Sequence, residues 1–212
     1  PPKTEPQIIY SDEDFLIVIK PAELLCVPGR LPEHKDCLIS RIQRQYPETL
    51  IVHRLDMSTS GLLVLARDTD SQRQLSRQFE KRQVGKIYLA VVSGKFEQTS
   101  GTIDLPLNRD WPNRPRQIVD HEQGKQAQTN YRVLSYDSEA DTSRVELRPL
   151  TGRTHQLRVH MQALGHPILG DDLYADQASL MQAERLLLHA CGLEFTHPKT
   201  GEPMIFTKEA DF

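Results

Sequence analysis

Short apolar runs bounded by proline, glycine or charged residues recur along the whole chain. The run after Asp14 is a clear example, because five consecutive apolar residues, several of them β-branched, end at Lys20 and Pro21. Such a run is typical of a buried strand rather than a helix. The segments of this kind, which we predict as strands, are residues 14–20, 51–52, 62–65, 87–92, 102–107, 127–136, 143–150, 186–195 and 204–207.

Two segments in the first half of the chain place apolar residues at helical spacing instead. Residues 36–46 begin with Asp36, which can cap a helix, and they end before a proline. Residues 70–83 are amphipathic, because Leu75 and Phe79 share one face while the opposite face is basic. Both segments are therefore predicted to be helices.

A third helix is predicted over residues 154–164, where Gly165 provides the C-terminal stop. One stripe of this helix carries its apolar side chains, Leu157, Met161 and Leu164. Predicted strands clearly outnumber predicted helices along the chain. The pattern therefore favours an α+β fold, with an extended mixed, largely antiparallel sheet flanked by a few helices.

Composition narrows the class of protein. A chain of 212 residues with 38% hydrophobic content can bury a core, no run is long enough to span a membrane, and the start lacks a signal sequence. The three cysteines are scattered, which fits a reducing, cytoplasmic setting and small buried side chains. A net charge of −3 argues against nonspecific coating of nucleic acid, although basic residues concentrate in 67–86 and 144–158.

A polar stretch containing one carboxylate lies between two predicted strands. It covers residues 53–61, and Asp56 is its only acidic residue. Judged by residue type alone, an aspartate in such a place is more often a turn former or a cap than a catalyst. Its chemistry depends on the motif around it.

A second dense stretch, residues 151–160, holds two arginines and two histidines at a turn and helix start. Arg158, like its neighbours, cannot be buried without an anionic partner, since an unpaired buried guanidinium is very costly. His155 and His160 are five residues apart, which is poor spacing for joint metal ligation from one helix. No motif for ATP, NAD or serine-hydrolase chemistry is present, so neither a metal nor a cofactor is predicted.

Four motifs, in order, resemble the RluA family of pseudouridine synthases. The first is His-Arg-Leu-Asp-x-x-Thr-Ser-Gly-Leu at 53–62, and the others are Lys-x-Tyr at 86–88, the arginine-bearing 151–158, and 188–190 together with 197–198. The resemblance implies a pseudouridine synthase fold with a central active-site cleft. It also implies that residues 1–212 form a single catalytic domain with no separate N-terminal RNA-binding domain.

The same resemblance implies the chemistry. Pseudouridine formation breaks the N1–C1′ bond of a uridine, turns the base and rebuilds the link through C5. One ionised carboxylate suffices, and by the family pattern this is Asp56, which either attacks C1′ or takes the 2′ proton. Arg158 is then expected to keep Asp56 ionised, Tyr88 to lie against the uracil and assist loss of the C5 proton, and Leu188 to line the uracil pocket.

A uridine within stacked RNA must be flipped out before it can react. Arg54 is expected to fill the gap, because a planar guanidinium can stack on bases and bond to them. The remaining residues predicted to bind RNA are His53, Arg73, Arg77, Lys81, Arg114, Arg116 and Arg153; a merely solvated face is the alternative for the basic ridge on the second helix.

The implied partners are a stem-loop of large-subunit rRNA and the tRNA anticodon stem-loop, bound by a monomer. A family sibling that modifies a single tRNA or rRNA site is the near alternative. An RNA-binding module without turnover is a second alternative. A carboxylate glycoside hydrolase is a third, and it lacks a convincing second acid.

Overall fold

The computed structural model describes residues 2–212, with Glu33 described by its backbone alone. In that range it contains four α-helices, twelve strands and one short 3-10 helix, Pro32–His34. In chain order these are β1 (Gln7–Ser11), β2 (Phe15–Lys20), α1 (Leu38–Ile42), β3 (Leu50–Ile51), β4 (Ser60–Ala66), α2 (Thr69–Glu80), β5 (Gly85–Ser93), β6 (Ser100–Asp104), β7 (Leu107–Arg109), β8 (Gln117–Val119), β9 (Gln128–Asp137), β10 (Thr142–Pro149), α3 (Gln156–Ala163), α4 (Gln177–Met181), β11 (Leu188–Thr196) and β12 (Pro203–Thr207).

The chain forms two compact units. The first comprises residues 2–86 and 190–211, and the second comprises residues 87–189 together with Phe212. In the first unit the strand order is β1-β2-β4-β11, with β12 paired to β11 and β3 paired to β4. In the second unit the order is β5-β10-β9-β6, and β7 and β8 form a small separate hairpin sheet.

Strand β2 explains why the first predicted strand is apolar throughout. Phe15 and Ile17 point into one core cluster of the first unit, whereas Leu16 and Val18, which alternate with them, are also fully buried. Successive side chains of a strand point to opposite faces, so a strand covered on both faces must be apolar at every position. Every residue of the neighbouring β4 is likewise buried.

Helix α2 confirms the predicted amphipathic segment. Asp68 caps it by accepting a hydrogen bond from the Ser71 N–H at 2.8 Å, which satisfies one of the free donors of the first turn. Leu75 is fully buried, and Phe79 packs against the same core cluster.

Helix α1 corrects the prediction for residues 36–46, which is too long. The helix covers Leu38–Ile42 only, and its N-cap is Cys37, whose N–H donates to Ser40 Oγ at 3.0 Å. Asp36 does not cap the helix. Its carboxylate instead accepts two hydrogen bonds from the buried Arg41 guanidinium at 2.8 and 2.7 Å, because a buried cation competes more strongly for a carboxylate than a helix end does.

The second unit packs its core between the sheet and α3. Ala90, Val145, Leu147, Leu157 and Met161 belong to one buried cluster there. Two sequence predictions are corrected in this unit. Residues 102–107 are not one strand but the end of β6 and the start of β7, and Leu164, predicted to lie on the apolar stripe, is 38% exposed beyond the end of α3.

The architecture is an α+β fold with mostly antiparallel pairing, as the sequence predicts. Cys26 and Cys37 are buried, while Cys191 is only half-buried. Within residues 2–212, every helix is too short or too polar to cross a membrane. The single catalytic domain and the central cleft stay predictions.

Candidate functional site

Asp56 lies in the loop that leads from β3 to β4, and the backbone on both sides of it is held by buried side chains. The N–H of Leu55 donates to Cys26 Sγ, and the Cys26 thiol donates to the Leu55 carbonyl, both at 3.3 Å. On the other side, Lys20 Nζ donates to the Met57 carbonyl at 2.8 Å. The Asp56 side chain itself is half-buried. The loop therefore presents one partly accessible carboxylate from a fixed backbone.

Lys20 is fully buried at the end of β2, and its ammonium donates three hydrogen bonds. The acceptors are the carbonyl oxygens of Pro21, Leu24 and Met57, at 2.8, 2.7 and 2.8 Å. Burial lowers the pKa of Lys20 from 10.5 to about 8, although the nearby Asp56 carboxylate acts in the opposite direction. The loop that carries Asp56 is thus held by a hydrogen bond from a buried ammonium group.

This burial predicts a pH-dependent difference between the wild type and Lys20→Met. Between pH 8 and pH 10.5 the unfolded state holds the Lys20 proton and the folded state does not. The stability contributed by this group therefore rises with pH in that window, by up to about 1.4 kcal/mol per pH unit. Below about pH 8 both states hold the proton, so the contribution of Lys20 to the free energy of unfolding no longer changes with pH, and it is destabilising there because the charge is buried.

The measurement is urea denaturation of both proteins from pH 7 to pH 10.5, with the free energy of unfolding of Lys20→Met subtracted from that of the wild type at each pH. Subtraction removes the titration of groups that do not interact with Lys20. We expect the difference to shift in favour of the wild type above pH 8. A difference that is flat with pH would contradict the lowered pKa of Lys20.

Arg54 and His53, which precede Asp56, have opposite environments. Arg54 is exposed, as a residue that contacts RNA must be. The His53 ring stacks on Phe79 with centroids 4.3 Å apart, and its Nε2 accepts a hydrogen bond from the Val64 N–H. Burial and the neighbouring Lys86 lower the pKa of His53 to about 3, so the ring is neutral. These contacts lend no support to an RNA-binding role for His53, which stays a prediction.

Arg158 lies in α3 and is 2% exposed. Its Nε and Nη2 donate to the two carboxylate oxygens of the fully buried Asp171 at 2.8 and 2.6 Å, and Nη2 also donates to Asp172 at 2.9 Å. This two-pronged geometry fixes the plane of the guanidinium. The prediction that a buried Arg158 needs an anionic partner is thus satisfied within the second unit itself.

A chain of buried hydrogen bonds holds the segment before α3. The Thr151 hydroxyl donates to Gln156 Oε1 at 2.7 Å, and Gln156 Nε2 donates to Thr129 Oγ1 at 3.0 Å. Thr129 is in turn bonded to His160 Nδ1, whose other ring nitrogen faces the Leu105 carbonyl at 3.0 Å. Burial lowers the pKa of His160. The network is buried and links β9 to α3, so it positions the start of α3.

Tyr174 contacts two arginines of the second unit through its ring. Its ring lies under the guanidinium carbons of Arg158 and Arg116, at 5.2 and 5.5 Å from the ring centroid. Its hydroxyl accepts a hydrogen bond from the Gln117 N–H at 2.8 Å and is bonded to His155 Nδ1 at 2.7 Å. His155 adopts a left-handed backbone conformation with φ 53°, which turns the chain into α3.

Tyr88 and Leu188 also belong to the second unit. Tyr88 is half-buried on β5, opposite Leu147 of β10, and it packs against the core cluster that contains Leu188. Leu188 is 2% exposed, which is the environment of a core residue. The roles predicted for both residues at a uracil stay predictions.

The basic ridge predicted on α2 is exposed. Arg73 and Arg77 lie opposite the buried Leu75, and Lys81 follows the last residue of the helix. Arg73 forms an exposed ion pair with Asp70 at 3.3 Å, which contributes little to stability. The side chains are accessible to an RNA phosphate and equally consistent with a solvated face.

The other predicted RNA contacts lie in the second unit. Arg153 is exposed, and its Nε donates to the Gln126 carbonyl at 3.1 Å. Trp111 is 59% exposed, with the guanidinium carbons of Arg109 and Arg114 at 4.8 and 5.2 Å from its ring centroid. The segment 111–116 therefore displays an exposed aromatic ring in contact with two cations.

Among residues 2–212, one group has the spacing of metal ligands, namely Asp12, Asp14 and His197. His197 Nδ1 accepts hydrogen bonds from the N–H groups of Lys199 and Thr200, so the ring proton is on Nε2, which faces Asp12 at 3.3 Å. Lys199 forms an ion pair with Asp14. These groups satisfy one another, and a metal would have to displace both the Nε2 proton and the ammonium.

Four residues that organise the site were missed by the sequence prediction: Lys20, Cys26, Asp171 and Tyr174. Two of them carry a signal that is visible in the sequence. Lys20 is a charge at the end of an apolar run, and Asp171-Asp172 is an acidic pair beside a basic region. Their partners lie 37 and 13 residues away, however, and the pairing is set by the tertiary fold.

Comparison with known proteins gives one consistent result. The family model described as RNA pseudouridylate synthase matches residues 14–163. The dual-specificity RNA pseudouridine synthase RluA of Escherichia coli strain K12 is 54% identical over 205 residues, which cover 97% of this chain and 93% of that protein. The protein of the same name from Yersinia pestis is 52% identical, covering 97% and 99%.

A solved structure agrees with these matches. Human RNA pseudouridylate synthase domain containing 1 is similar to this fold with a TM-score of 0.84 at 32% identity, and the match covers 100% of this chain and 87% of that chain.

Proposed function

Because the chain belongs to the RNA pseudouridylate synthase family, and is therefore an isomerase that acts on RNA, we propose that Asp56 is its catalytic carboxylate. The observation that carries the proposal is the loop geometry. The backbone of both neighbours of Asp56 is held by Cys26 and Lys20, while the Asp56 side chain stays partly accessible. A rigid support of this kind is what a reacting group needs, since its position must not change when the substrate binds.

In the reaction the N1–C1′ bond of the uridine breaks, and the uracil leaves with the electron pair on N1. After the base has turned, a bond forms between C5 and C1′, the C5 proton is lost and N1 gains a proton. Asp56 serves this sequence either by attacking C1′ or by taking the 2′ proton. The leaving group is a stabilised anion, so no second carboxylic acid is needed to protonate it.

We include Arg158 and Tyr88 as the other two catalytic residues. The guanidinium of Arg158 is held in one plane by Asp171, so it can bond to an anion without losing further rotamer freedom. Tyr88 is half-buried on β5 and carries a hydroxyl suited to proton transfer at C5. Leu188 is proposed to line the uracil pocket beside Tyr88, with which it shares a core cluster.

Two RNA targets are proposed: a stem-loop of large-subunit rRNA and the anticodon stem-loop of tRNA. Support comes from the curated relatives, whose name describes dual specificity and whose length is covered to 93% or more. The exposed Arg54 is proposed to occupy the gap left by the flipped uridine. Phosphates of either stem-loop are proposed to contact Arg73, Arg77, Lys81, Arg114, Arg116 and Arg153.

The experiment is a pseudouridine map of rRNA and tRNA from a strain that lacks the gene, with a complemented strain as the control. We expect the mutant to lose at least one pseudouridine in large-subunit rRNA and at least one in a tRNA anticodon arm, and the complemented strain to regain both. Loss in one class of RNA alone would establish the single-target alternative. Loss in neither class would contradict both.

A further inference from the structure

The second unit contains a pocket of about 340 Å³ that none of the proposed catalytic residues lines. It lies between the 110–119 segment and α3. The lining residues are Asp110, Arg116, Gln117, Ile118, Val119, Val159, Gln162 and Tyr174. A volume of this size is at the lower end for ligand sites, and it suits a single flat ring system better than an extended ligand.

The pocket is lined by both apolar and polar side chains, a mixture that suits a heteroaromatic ring. Ile118, Val119 and Val159 supply the apolar surface, and Ile118 remains 43% exposed in the described structure. Covering an exposed apolar side chain with a flat ring removes apolar surface from water, which favours binding.

The polar groups of the pocket have capacity for a ligand. Gln162 is exposed, and in residues 2–212 its side-chain amide has no hydrogen bond. The Gln117 amide reaches only the carbonyls of Pro115 and Arg116, at long distances of 3.4 and 3.3 Å. An amide side chain offers a donor and an acceptor side by side, which matches the edge of a nucleobase.

Asp110 and Arg116 add charge to the lining. The carboxylate of Asp110 is oriented by Asn113, whose Nδ2 donates to both of its oxygens at 3.1 and 3.0 Å. The guanidinium of Arg116 lies over the Tyr174 ring. A guanidinium already held over an aromatic ring has less freedom to lose when a base stacks on it.

We propose that this pocket binds one nucleobase of the RNA substrate, distinct from the uridine that reacts, and that it prefers a base with an exocyclic amino group. The preference follows from Asp110, whose carboxylate accepts a hydrogen bond from an amino group and repels the paired carbonyl oxygens of uracil. The inference rests on RNA being the substrate. It does not depend on which RNA is modified.

Trp111, the residue after Asp110, extends the proposed site. Its exposed ring carries Arg109 and Arg114, so the same segment presents a pocket for one base and a cationic platform for the adjoining backbone. This combination of a stacking surface with cations is typical of sites for unpaired nucleotides. The pocket thus gives the catalytic domain a means of recognising an unpaired loop base.

The test couples changes in the protein to changes in the RNA. The probe is a synthetic stem-loop of a sequence that the wild type converts. It is prepared with pseudouridine already at the target position, so that no turnover occurs. In a series of such stem-loops, an abasic nucleotide replaces each of the other loop positions in turn. The first variant is Gln162→Leu, which removes the side-chain amide and keeps a good helix former at an exposed position. The second is Ile118→Trp, which places a larger side chain in the pocket. Gln98→Leu, an exposed change outside the pocket, is the matched control.

We expect one abasic position to raise the Kd of the wild type about tenfold, as loss of a stacked base does. At that position alone, the penalty should largely disappear in both pocket variants and persist in Gln98→Leu. Conversion of unmodified stem-loop at saturating RNA should be unchanged in Gln98→Leu, whose side chain lies outside both the pocket and the proposed catalytic residues. Abasic penalties that are the same in all four proteins would overturn the proposal, and so would a base preference for uracil at the sensitive position.

Discussion

Asp56→Asn is expected to lower pseudouridine formation by about four orders of magnitude or more, while RNA binding is largely kept. Asparagine has the shape of aspartate but no negative charge, so it neither attacks C1′ nor takes the 2′ proton. The loop should stay in place, because Cys26 and Lys20 hold the backbone of the neighbouring residues and not the Asp56 side chain. Single-turnover conversion and the Kd of the same stem-loop measure the two quantities separately.

A matched control is Asp104→Asn, which makes the same chemical change on the exposed β6 strand. There the side chain accepts a hydrogen bond from Gln128 Nε2, and asparagine can still accept it. We expect wild-type conversion in this control. If Asp56→Asn turned over at an undiminished rate, the catalytic assignment would be refuted. The alternative of an RNA-binding module would be established if the wild type itself bound RNA without converting it.

Replacing Arg158 by methionine should destabilise the protein by about 3 to 5 kcal/mol, because the buried Asp171 carboxylate loses its cation. Asp171 is fully buried and Arg158 is 2% exposed, so solvent does not screen the loss. Denaturation by urea measures the free energy of unfolding. The control is Arg132→Met, which removes an exposed cation paired with Glu146 and should cost less than about 1 kcal/mol.

A second change separates the structural and catalytic contributions of Arg158. Asp171 Oδ1 also accepts hydrogen bonds from the N–H groups of Leu173 and Tyr174, both at 3.0 Å. Asp171→Asn keeps that acceptor and removes the charge. We therefore expect the double variant, Arg158→Met with Asp171→Asn, to regain most of the lost stability but not the lost turnover. A double variant that is as active as the wild type would reduce Arg158 to a purely structural residue.

Local patterns predicted the elements whose conformation depends on nearby residues. The amphipathic α2 and the strand β2 are confirmed because a capping aspartate, helical spacing and an uninterrupted apolar run are all visible within a dozen residues. The helix predicted over 36–46 is wrong in length: it ends at Ile42, and it begins only at Leu38, where Asp36 pairs with the buried Arg41 instead of capping. A competing charge of this kind is not part of the periodicity from which a helix is predicted.

The environment of the candidate site was harder to predict than its residues. Nothing in the motif around Asp56 indicates that His53 turns inward onto Phe79 while Arg54 stays exposed. Equally, the arginine at 158 required an anion, but the sequence offered several acidic clusters from which to choose. The structure selects Asp171 because a turn after α3 brings it within 2.6 to 2.8 Å of the guanidinium.

By itself, the sequence determined the family and the α+β class, and it singled out Asp56 as the candidate carboxylate. These are properties of contiguous motifs and local spacing, and they are readable without a fold. Only the tertiary structure decided that Lys20 and Cys26 support the Asp56 loop, that Asp171 pairs with Arg158, and that a pocket lies beside α3. Burial and ion pairing depend on residues far apart in the chain, and the sheet that brings them together is built from non-local contacts.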